Sequence, residues 1–313
     1  MLRPVSDPFR KESQLFWLGT PVESDTILRS LGVNSMLASN AHSGEPAGID
    51  GWHVNVQNTA ALIDELLARL GGSCPSFMVC TLNLDHLVKL RRNLDFRKAY
   101  ARAEYITADG FPIVALARLA RHQTDQTAGS DFIRPICNAA ARHDLPIFLF
   151  GSTLSILSAA ATKLLAENPG LDIRGAYAPP RAFDPKSDYA SDVIDLIRHS
   201  GARICFVALG APTQEIFSAL AVERTADICF LPIGAGLDFI AGTQIRAPKI
   251  LRRAKLEWAW RLMLNPKRLI KRYISCALIF GELIVRHFMA AQNVAPARPT
   301  SHVGESRESI ADR

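Results

Sequence analysis

The chain lacks the short signatures that would assign it at once to a large enzyme class. It has no Gly-x-Gly-x-x-Gly after its first predicted strand, no Walker Gly-x-x-x-x-Gly-Lys-Ser/Thr and no Gly-x-Ser-x-Gly. These absences argue against a dinucleotide oxidoreductase, a P-loop NTPase and an ordinary α/β-hydrolase. The six cysteines are scattered and form no Cys-x-x-Cys pair, which fits a protein of the reducing cytosol.

Long apolar runs are also missing. The longest mostly apolar stretch is 273–285, with 13 residues before Arg286 closes it. A membrane-spanning helix needs roughly 20 apolar residues, so an interfacial helix, or one buried against a partner, is favoured. Charged residues interrupt the N-terminus, which therefore does not have the pattern of a signal sequence. We expect a cytoplasmic protein that is peripherally associated with the inner face of the cell membrane.

Positive charge is concentrated near the C-terminus. Between residues 244 and 287 the chain has eleven Lys and Arg against two acids, a net charge of +9, whereas the whole chain carries +6 and the remainder therefore −3. Such a segment favours an anionic partner, which can be nucleic acid, a membrane surface or a phosphorylated substrate. Trp258 and Trp260 suit a membrane interface, although packing alone would also explain them.

Apolar strand patterns alternate with helical patterns along the middle of the chain. The predicted strands are 51–56, 77–81, 105–108, 147–150, 171–177, 204–209 and 228–233. They are apolar on both faces, as a sheet covered by helices on each side requires. The sequence therefore predicts an α/β fold: a Rossmann-like, doubly wound, mostly parallel sheet with a basic helical C-terminal membrane-associating appendage.

Four segments follow from these patterns. We expect a poorly ordered N-terminal leader at 1–48 and a Rossmann-like catalytic domain at 49–245. A basic amphipathic helical appendage is predicted at 246–291, and a polar, disordered tail at 292–313. The sequence indicates no role for the leader.

Candidate ligand-binding residues lie after the predicted strands, because ligands of an open parallel sheet bind at the carboxyl ends of its strands. The turns there are Thr81-Leu82-Asn83, Asp109-Gly110, Gly151-Ser152-Thr153, Gly210-Ala211-Pro212-Thr213-Gln214-Glu215 and Gly234-Ala235-Gly236-Leu237-Asp238. Small residues let a backbone approach a ligand, and helix N-termini offer N–H groups to phosphate. Together the turns favour a nucleotide-bearing substrate.

An ordered set of motifs carries a specific resemblance. The set is Thr81-x-Asn83, Asp109-Gly110, Gly129-Ser130-Asp131, Gly210-x-Pro212-x-Gln214-Glu215, a Gly-rich turn ending in Asp238-Phe239, Arg246-Ala247-Pro248, and Glu257-Trp258-x-x-Arg261-Leu262 followed by Pro266-x-Arg268. In this order, over roughly residues 50–275, the chain resembles the WecG/TagA/CpsF family of bacterial glycosyltransferases, glycosyltransferase family 26. It departs from the family pattern at Thr213, where the family often has Lys.

The resemblance implies an inverting, metal-independent transfer from a UDP-sugar donor to a polyprenyl-diphosphate-linked sugar acceptor. The transferred sugar would be N-acetylmannosamine or a related hexose, for a surface polysaccharide or exopolysaccharide. The chain has no Asp-x-Asp pair to hold a divalent cation, so no cofactor is expected and positive side chains would neutralise the leaving UDP. The sequence does not determine which sugar is transferred or which polymer is made. It also leaves the oligomeric state open, and a homo-oligomer is one of the possibilities.

The catalytic residues implied by the resemblance are Asp109 and Thr81. Inversion needs a base that takes the proton of the attacking acceptor hydroxyl, and Asp109 matches the family's catalytic Asp. Thr81 and Asn83 would line the acceptor or sugar pocket. The alternatives are a turn or helix-capping role for Asp109 and strand-end hydrogen bonding for the other two.

Further substrate-binding residues are predicted on both sides of residue 245. Gln214 and Glu215 would bind sugar or nucleotide, although a Glu there would also complement a helix dipole. Gly236 and Asp238 would shape the nucleotide pocket. A final group lies in the appendage and would bind diphosphate or lipid headgroups, unless it is only a solvated basic face: Arg261, Arg268 and Lys271.

Two functions from other classes compete with this prediction. A non-catalytic scaffold of a polysaccharide-assembly complex would release no UDP. A nucleic-acid-binding protein would show an affinity that falls steeply with salt, but the chain has no recognised nucleic-acid module. We therefore expect a membrane surface as a partner and no nucleic acid.

Overall fold

The computed structural model describes residues 3–4, 14–17, 47–244, 247–248, 251 and 257–293. The strands are β1 (Arg3–Pro4), β2 (Gln14–Trp17), β3 (Ala47–Ile49), β4 (Trp52–Val54), β5 (Phe77–Leu82), β6 (Tyr105–Ala108), β7 (Ile147–Gly151), β8 (Ile173–Ala178), β9 (Ile204–Ala208) and β10 (Cys229–Pro232). Every strand predicted between 77 and 233 is present, within two residues at each end.

The helices occupy the intervals between these strands and continue after the last one. They are α1 (Thr59–Leu70), α2 (Leu84–Arg92), α3 (Leu94–Tyr100), α4 (Phe111–Leu119), α5 (Gly129–Arg142), α6 (Leu154–Glu167), α7 (Asp188–His199), α8 (Thr213–Arg224), α9 (Gly236–Ala241), α10 (Glu257–Leu264) and α11 (Pro266–Asn293). Asn58 caps α1, because its side chain accepts a hydrogen bond from the Ala61 N–H.

The large sheet has the strand order β1-β2-β8-β7-β9-β10-β5-β6. The six strands from β8 to β6 are all parallel. At the other edge β2 pairs with β8 in the antiparallel sense, and β1 pairs with β2 in the same sense. The prediction of a mostly parallel α/β sheet is confirmed.

Helices cover both faces of the parallel strands. Alternate strand residues enter two separate apolar cores: Met78, Cys80 and Phe150 belong to one core, whereas Phe77 and Leu149 belong to the other. Each strand is therefore buried on both sides, which is why its sequence is apolar without alternation. The doubly wound arrangement follows from this two-sided burial.

The N-terminal part of the chain differs from the sequence prediction in one element. The strand predicted at 51–56 does not join the large sheet: Trp52–Val54 pairs with Ala47–Ile49 as a separate antiparallel hairpin. The two short strands β1 and β2 lie within the predicted leader and extend the large sheet. The rest of 1–46 lies outside the described residues, so the division of the chain into four segments stays a prediction.

The order of the strands creates a crevice between β7 and β9. From β7 the chain passes through α6 to β8 on one side, and from β9 it passes through α8 to β10 on the other. The two helices cover opposite faces of the sheet, so their connections diverge at the carboxyl ends of β7 and β9. Such a switch point is where open α/β sheets bind ligands.

Gly151 at the end of β7 is required by a close backbone approach. Its φ is +106°, and a Cβ atom at this position would lie 2.5 Å from the Ala208 carbonyl oxygen of β9. The neighbouring Ser152 N–H donates to that same oxygen at 2.8 Å. A side chain here would separate the two strands exactly where the crevice opens, so only glycine fits.

The C-terminal helix α11 packs along the domain, with contacts to α2 and α4. Its inward face buries Leu269, Cys276, Ile279 and Leu283. The opposite face exposes an apolar stripe at helical spacing: Ile270, Ile274, Leu278, Val285, Phe288 and Met289. Within the described part of the chain, no helix combines the length and the apolar character needed to cross a membrane.

Ion pairs join α11 to α2. Arg272 lies 3.2 Å from the Asp85 carboxylate, and Arg91 reaches Glu282 at 2.6 Å. Arg91 also pairs with Asp50 at 2.7 Å. Because α2 begins directly after Asn83, the appendage helix is attached to an element that starts at the carboxyl edge of the sheet.

Candidate active site

The carboxyl ends of β5 and β6 bring Asn83 and Asp109 together. β5 and β6 are neighbours in register, with Leu82 opposite Ala108. The Asn83 side chain caps α2 by accepting from the His86 N–H at 2.9 Å, which leaves its amide group to donate to Asp109 Oδ2 at 3.1 Å. Asn83 therefore forms hydrogen bonds at the end of the strand and also contacts the candidate base, Asp109.

Asp109 is held from its backbone as well. Its N–H donates to the Leu82 carbonyl at 2.8 Å, and Gly110 follows with a φ of +92°, a conformation that favours glycine. The Asp109 side chain is half-buried. It therefore retains contact with solvent at the edge of the sheet, which a base that meets a substrate hydroxyl requires.

Thr81 precedes this pair on β5. The residue is only 6% exposed, and its carbonyl oxygen accepts a hydrogen bond from the Tyr100 hydroxyl at 2.9 Å. Its own hydroxyl has no hydrogen-bond partner among the described residues. The structure thus brings Thr81 to the site through its backbone.

Gln214 and Glu215 are buried, with 2% and 1% of their surface exposed. The Gln214 side-chain oxygen accepts from the Gly210 N–H at 3.2 Å and from the Gly234 N–H at 2.9 Å. Its amide group donates to Glu215 Oε1 at 2.8 Å. In this structure the two side chains bind protein groups and join the turns after β9 and β10.

Two residues that sequence reasoning missed, His86 and Tyr100, lie beneath this site. His86 Nδ1 is 2.9 Å from the Tyr100 hydroxyl, and His86 Nε2 is 3.9 Å from Glu215 Oε1. Burial lowers the pKa of His86 to about 3 and raises the pKa of Glu215 to about 7. The only signal in the sequence was a polar His among the inward-facing apolar positions of α2.

Gly236 and Asp238 lie after β10, at the start of α9. A Cβ atom on Gly236 would lie 2.5 Å from the Ile133 Cδ1 atom, so glycine permits close packing against α5. Asp238 is half-buried, and burial raises its pKa, while hydrogen bonds from Gln244 and Ser152 oppose that rise. The contact with Ser152 brings Asp238 to the β7–β9 crevice.

A cleft of about 780 Å³ opens at this crevice, at the carboxyl ends of β7, β8 and β9. Its lining includes Ser152, Thr153, Pro179, Arg181, Phe183 and Thr213. Phe183 is held by edge-to-face contacts with Phe150 and Phe217, whose centroids lie 5.5 and 5.8 Å away. The wall of the cleft is therefore built from packed aromatic side chains.

Arg181 is the charged residue of the cleft lining and was not found by sequence reasoning. Its side chain is exposed, and it has no hydrogen bond or ion pair with any residue in the part of the chain that the structure describes. A guanidinium of this kind is available to bind phosphate oxygens. The residue lies in the turn after β8, where no family motif drew attention to it.

The predicted basic residues of the appendage are described only in part. The side chains of Arg261 on α10 and Arg268 on α11 lie outside the described residues, and so does Arg246. Lys271 is exposed on α11, and Trp258 is 52% exposed with its ring against Tyr273 at 6.1 Å. A diphosphate-binding role for the three predicted cations stays a prediction.

Fold and site together define an α/β enzyme with a ligand cleft and an oriented carboxylate at the carboxyl edge of a parallel sheet. The chain matches the model of the Glycosyl transferase WecG/TagA/CpsF family over residues 47–293, and it belongs to that family. The resemblance found in the sequence motifs is thereby confirmed. Membership implies a glycosyltransferase role in cell-surface polysaccharide biosynthesis, with a sugar donor and a polyprenyl-linked acceptor.

Proposed function

We propose that this glycosyltransferase moves a hexose, N-acetylmannosamine or a close relative, from a UDP-sugar to a polyprenyl-diphosphate-linked sugar. The reaction inverts the anomeric centre, needs no metal ion and serves the synthesis of a surface polysaccharide or exopolysaccharide. The observation that carries the proposal is the half-buried Asp109 carboxylate, oriented by Asn83 at 3.1 Å, at the edge of the sheet where ligands bind.

Asp109 acts as the general base in this mechanism. The acceptor hydroxyl attacks the anomeric carbon from the face opposite the departing UDP, and Asp109 removes its proton as the new bond forms. The hydrogen bond that Asn83 donates to Oδ2 orients the carboxylate for this step. We assign Thr81 and Asn83 to the acceptor or sugar pocket.

The cleft between β7 and β9 supports a site for the donor nucleotide. Thr153 and Leu154 bring the N-terminus of the 14-residue helix α6 to the cleft, where its N–H groups favour phosphate oxygens. Arg181 supplies a positive charge in the same cleft. Asp238 lies next to the cleft, because it forms a hydrogen bond with Ser152 of the cleft lining. Thr213 lines the cleft at the position where the family often has Lys, so we assign the phosphate charge to Arg181.

Replacing Arg181 with Ala tests this donor site. Loss of a charge-assisted contact to diphosphate costs about 1.5–3 kcal/mol, so we expect KM for the UDP-sugar to rise about 10- to 100-fold. Initial rates at varied donor concentration measure the change. The matched control is Arg142→Ala, since Arg142 is also exposed but ends α5 at the opposite edge of the sheet. An unchanged donor KM in Arg181→Ala contradicts the assignment.

The exposed stripe of α11 supports the proposal of a protein attached to the inner face of the cell membrane. Leu278 is 71% exposed and Ile274 is 54% exposed, and both lie on the face of α11 opposite its buried residues. Lys267 and Lys271 are exposed at the amino end of the same face. Apolar side chains beside lysines suit the boundary between acyl chains and anionic headgroups.

Incubation with a panel of UDP-sugars and a short-chain polyprenyl-diphosphate sugar tests the function as a whole. We expect one hexose donor to give a product heavier by one sugar, with the opposite anomeric configuration, and an equal amount of UDP. The same rate in the presence of EDTA is expected for a metal-independent reaction. If no donor releases UDP, the catalytic proposal fails and the scaffold alternative takes its place.

A further inference from the structure

One carboxyl oxygen of Glu215 is buried without a partner. Oε1 accepts a hydrogen bond from Gln214, whereas Oε2 has none among the described residues. An ionised carboxylate is costly in such an environment unless a cation compensates it. The nearby cation, Lys89, already contacts Asp85 at 2.8 Å and the Ala211 carbonyl at 2.9 Å.

The proton positions around His86 follow from the hydrogen bonds. The Tyr100 hydroxyl uses its single hydrogen for the Thr81 carbonyl, because a carbonyl oxygen only accepts. In its contact with His86 Nδ1 the hydroxyl oxygen must therefore be the acceptor, so Nδ1 carries a hydrogen. Since burial keeps His86 neutral at physiological pH, its Nε2 has a bare lone pair.

This lone pair faces Glu215 across 3.9 Å. An ionised Glu215 would place a second electron-rich acceptor against it, whereas a protonated Glu215 places a hydrogen on that side. This distance is longer than a hydrogen bond, so the carboxyl group and the imidazole ring face each other without forming one. Burial raises the pKa of Glu215 to about 7, so this carboxyl keeps its proton at pH values below that.

Titratable or charged groups on three neighbouring elements interact with Glu215. They are His86, Asp85 and Lys89 on α2, Tyr100 on α3 and Cys80 on β5. Burial keeps His86 and Tyr100 neutral, and Lys89 is already paired with Asp85. None of the five therefore supplies a free positive charge to an ionised Glu215.

Glu215 connects three strand ends. Through Gln214 it reaches the turns after β9 and β10, and through His86 and Tyr100 it faces the carbonyl of Thr81 at the end of β5. We propose that Glu215 is a positioning residue, held neutral by a proton, that keeps these three strand ends in the arrangement the active site needs. Its part in transfer rests on the proposed function; its charge state does not.

The first experiment compares the stability of the wild-type protein with that of Glu215→Gln, which keeps the shape and neutrality of the protonated acid. In the unfolded chain the Glu215 carboxyl is no longer buried, so its pKa returns to the ordinary value of 4.5. Between about pH 4.5 and pH 7 the native state binds one proton more than the unfolded state, so wild-type stability falls relative to Glu215→Gln as pH rises. Below and above this window the difference is constant.

Urea unfolding at a series of pH values measures the difference in free energy of unfolding between the two proteins. Ionisation of His86 changes the stability of both proteins with pH in the opposite direction, and this contribution cancels in the difference. Glu167→Gln is the matched control, since Glu167 pairs with Arg134 on the surface and is not expected to show a fall in this window. If the difference in free energy of unfolding between the wild type and Glu215→Gln does not change from about pH 5 to about pH 8, Glu215 is not protonated in the native state. Infrared difference spectra give the same test on the wild type alone: a protonated carboxyl band present at about pH 6 and lost by about pH 8.5 supports it, and no such band overturns it.

The second experiment measures transfer against pH. We expect wild-type kcat to fall above about pH 7, as Glu215 ionises, and Glu215→Gln to keep near wild-type kcat at neutral pH without that alkaline fall. A Glu215→Gln variant that folds but loses transfer overturns the positioning role and assigns Glu215 to substrate or reaction. If the wild type transfers no sugar at all, the proposed function fails, and the stability and infrared results still decide the charge state.

Discussion

Asp109→Asn is expected to abolish sugar transfer, with a loss of about 10²- to 10⁴-fold in kcat, the range for removal of a general base. The replacement keeps the local structure, because an asparagine oxygen can still accept the hydrogen bond that Asn83 donates to Asp109 Oδ2 at 3.1 Å. What it removes is the ability to take a proton from the acceptor hydroxyl. KM for the UDP-sugar is expected to change little, since the donor cleft lies at other strands.

The control for this variant is Asp144→Asn, which makes the same chemical change at an exposed turn before β7. Both variants are assayed for initial rate with saturating donor and for donor binding by calorimetry. Turnover near the wild-type rate in Asp109→Asn contradicts the base assignment. Loss of donor binding together with turnover would instead indicate that Asp109 contacts the donor.

The second large effect is expected at the membrane. Replacing Ile274 and Leu278 together with Glu removes two exposed apolar side chains from the stripe of α11 and adds two negative charges. Each fully buried side chain of this size contributes about 1.5–3 kcal/mol, so partition onto anionic lipid vesicles is expected to fall at least about 100-fold. Cosedimentation with vesicles of anionic phospholipid measures the partition.

The matched control is Leu94→Glu, because Leu94 is also exposed, at 56%, but begins α3 outside the stripe. We expect it to bind vesicles as the wild type does. Transfer to a water-soluble short-chain acceptor is expected to survive in the stripe variant, since the changed residues lie on the face of α11 turned away from the core. Unchanged vesicle binding would show that the stripe does not contact lipid.

The sequence predicted most of the local structure because local structure depends on nearby residues. Strands that are buried on both faces must be apolar throughout, so 147–150 and 204–209 were recognisable without a fold. The hairpin at Ala47–Ile49 and Trp52–Val54 was not, because a short strand has the same pattern whether its partner is its neighbour or a distant edge of the sheet. Pairing is a non-local property.

The candidate site was predicted in part for a similar reason. Asp109 and Asn83 follow apolar strands and belong to recognisable motifs, and their contact follows from the pairing of β5 with β6. Arg181 follows a strand too, but in a turn without a motif, and its place at the donor cleft depends on β8 lying two positions from β9 in the sheet. Nothing in the neighbouring residues contains that information.

Glu215 shows the difference most clearly. From the sequence it is an acid in the first turn of a helix, a position where a surface carboxylate commonly complements the helix dipole. In the fold it is 1% exposed and faces a neutral histidine from another helix. Whether this carboxyl is charged depends on what surrounds it, and apart from Gln214 the groups named around it lie more than a hundred residues away in the chain.

The order of residues alone determined the α/β class, the family and the identity of the candidate base, because these depend on periodicity and on motifs that are contiguous in the chain. Tertiary structure alone decided the strand order, the cleft with Arg181, and the burial that favours a proton on Glu215. The reason is physical: desolvation and charge pairing are set by neighbours in space, and strand pairing brings those neighbours from distant parts of the chain.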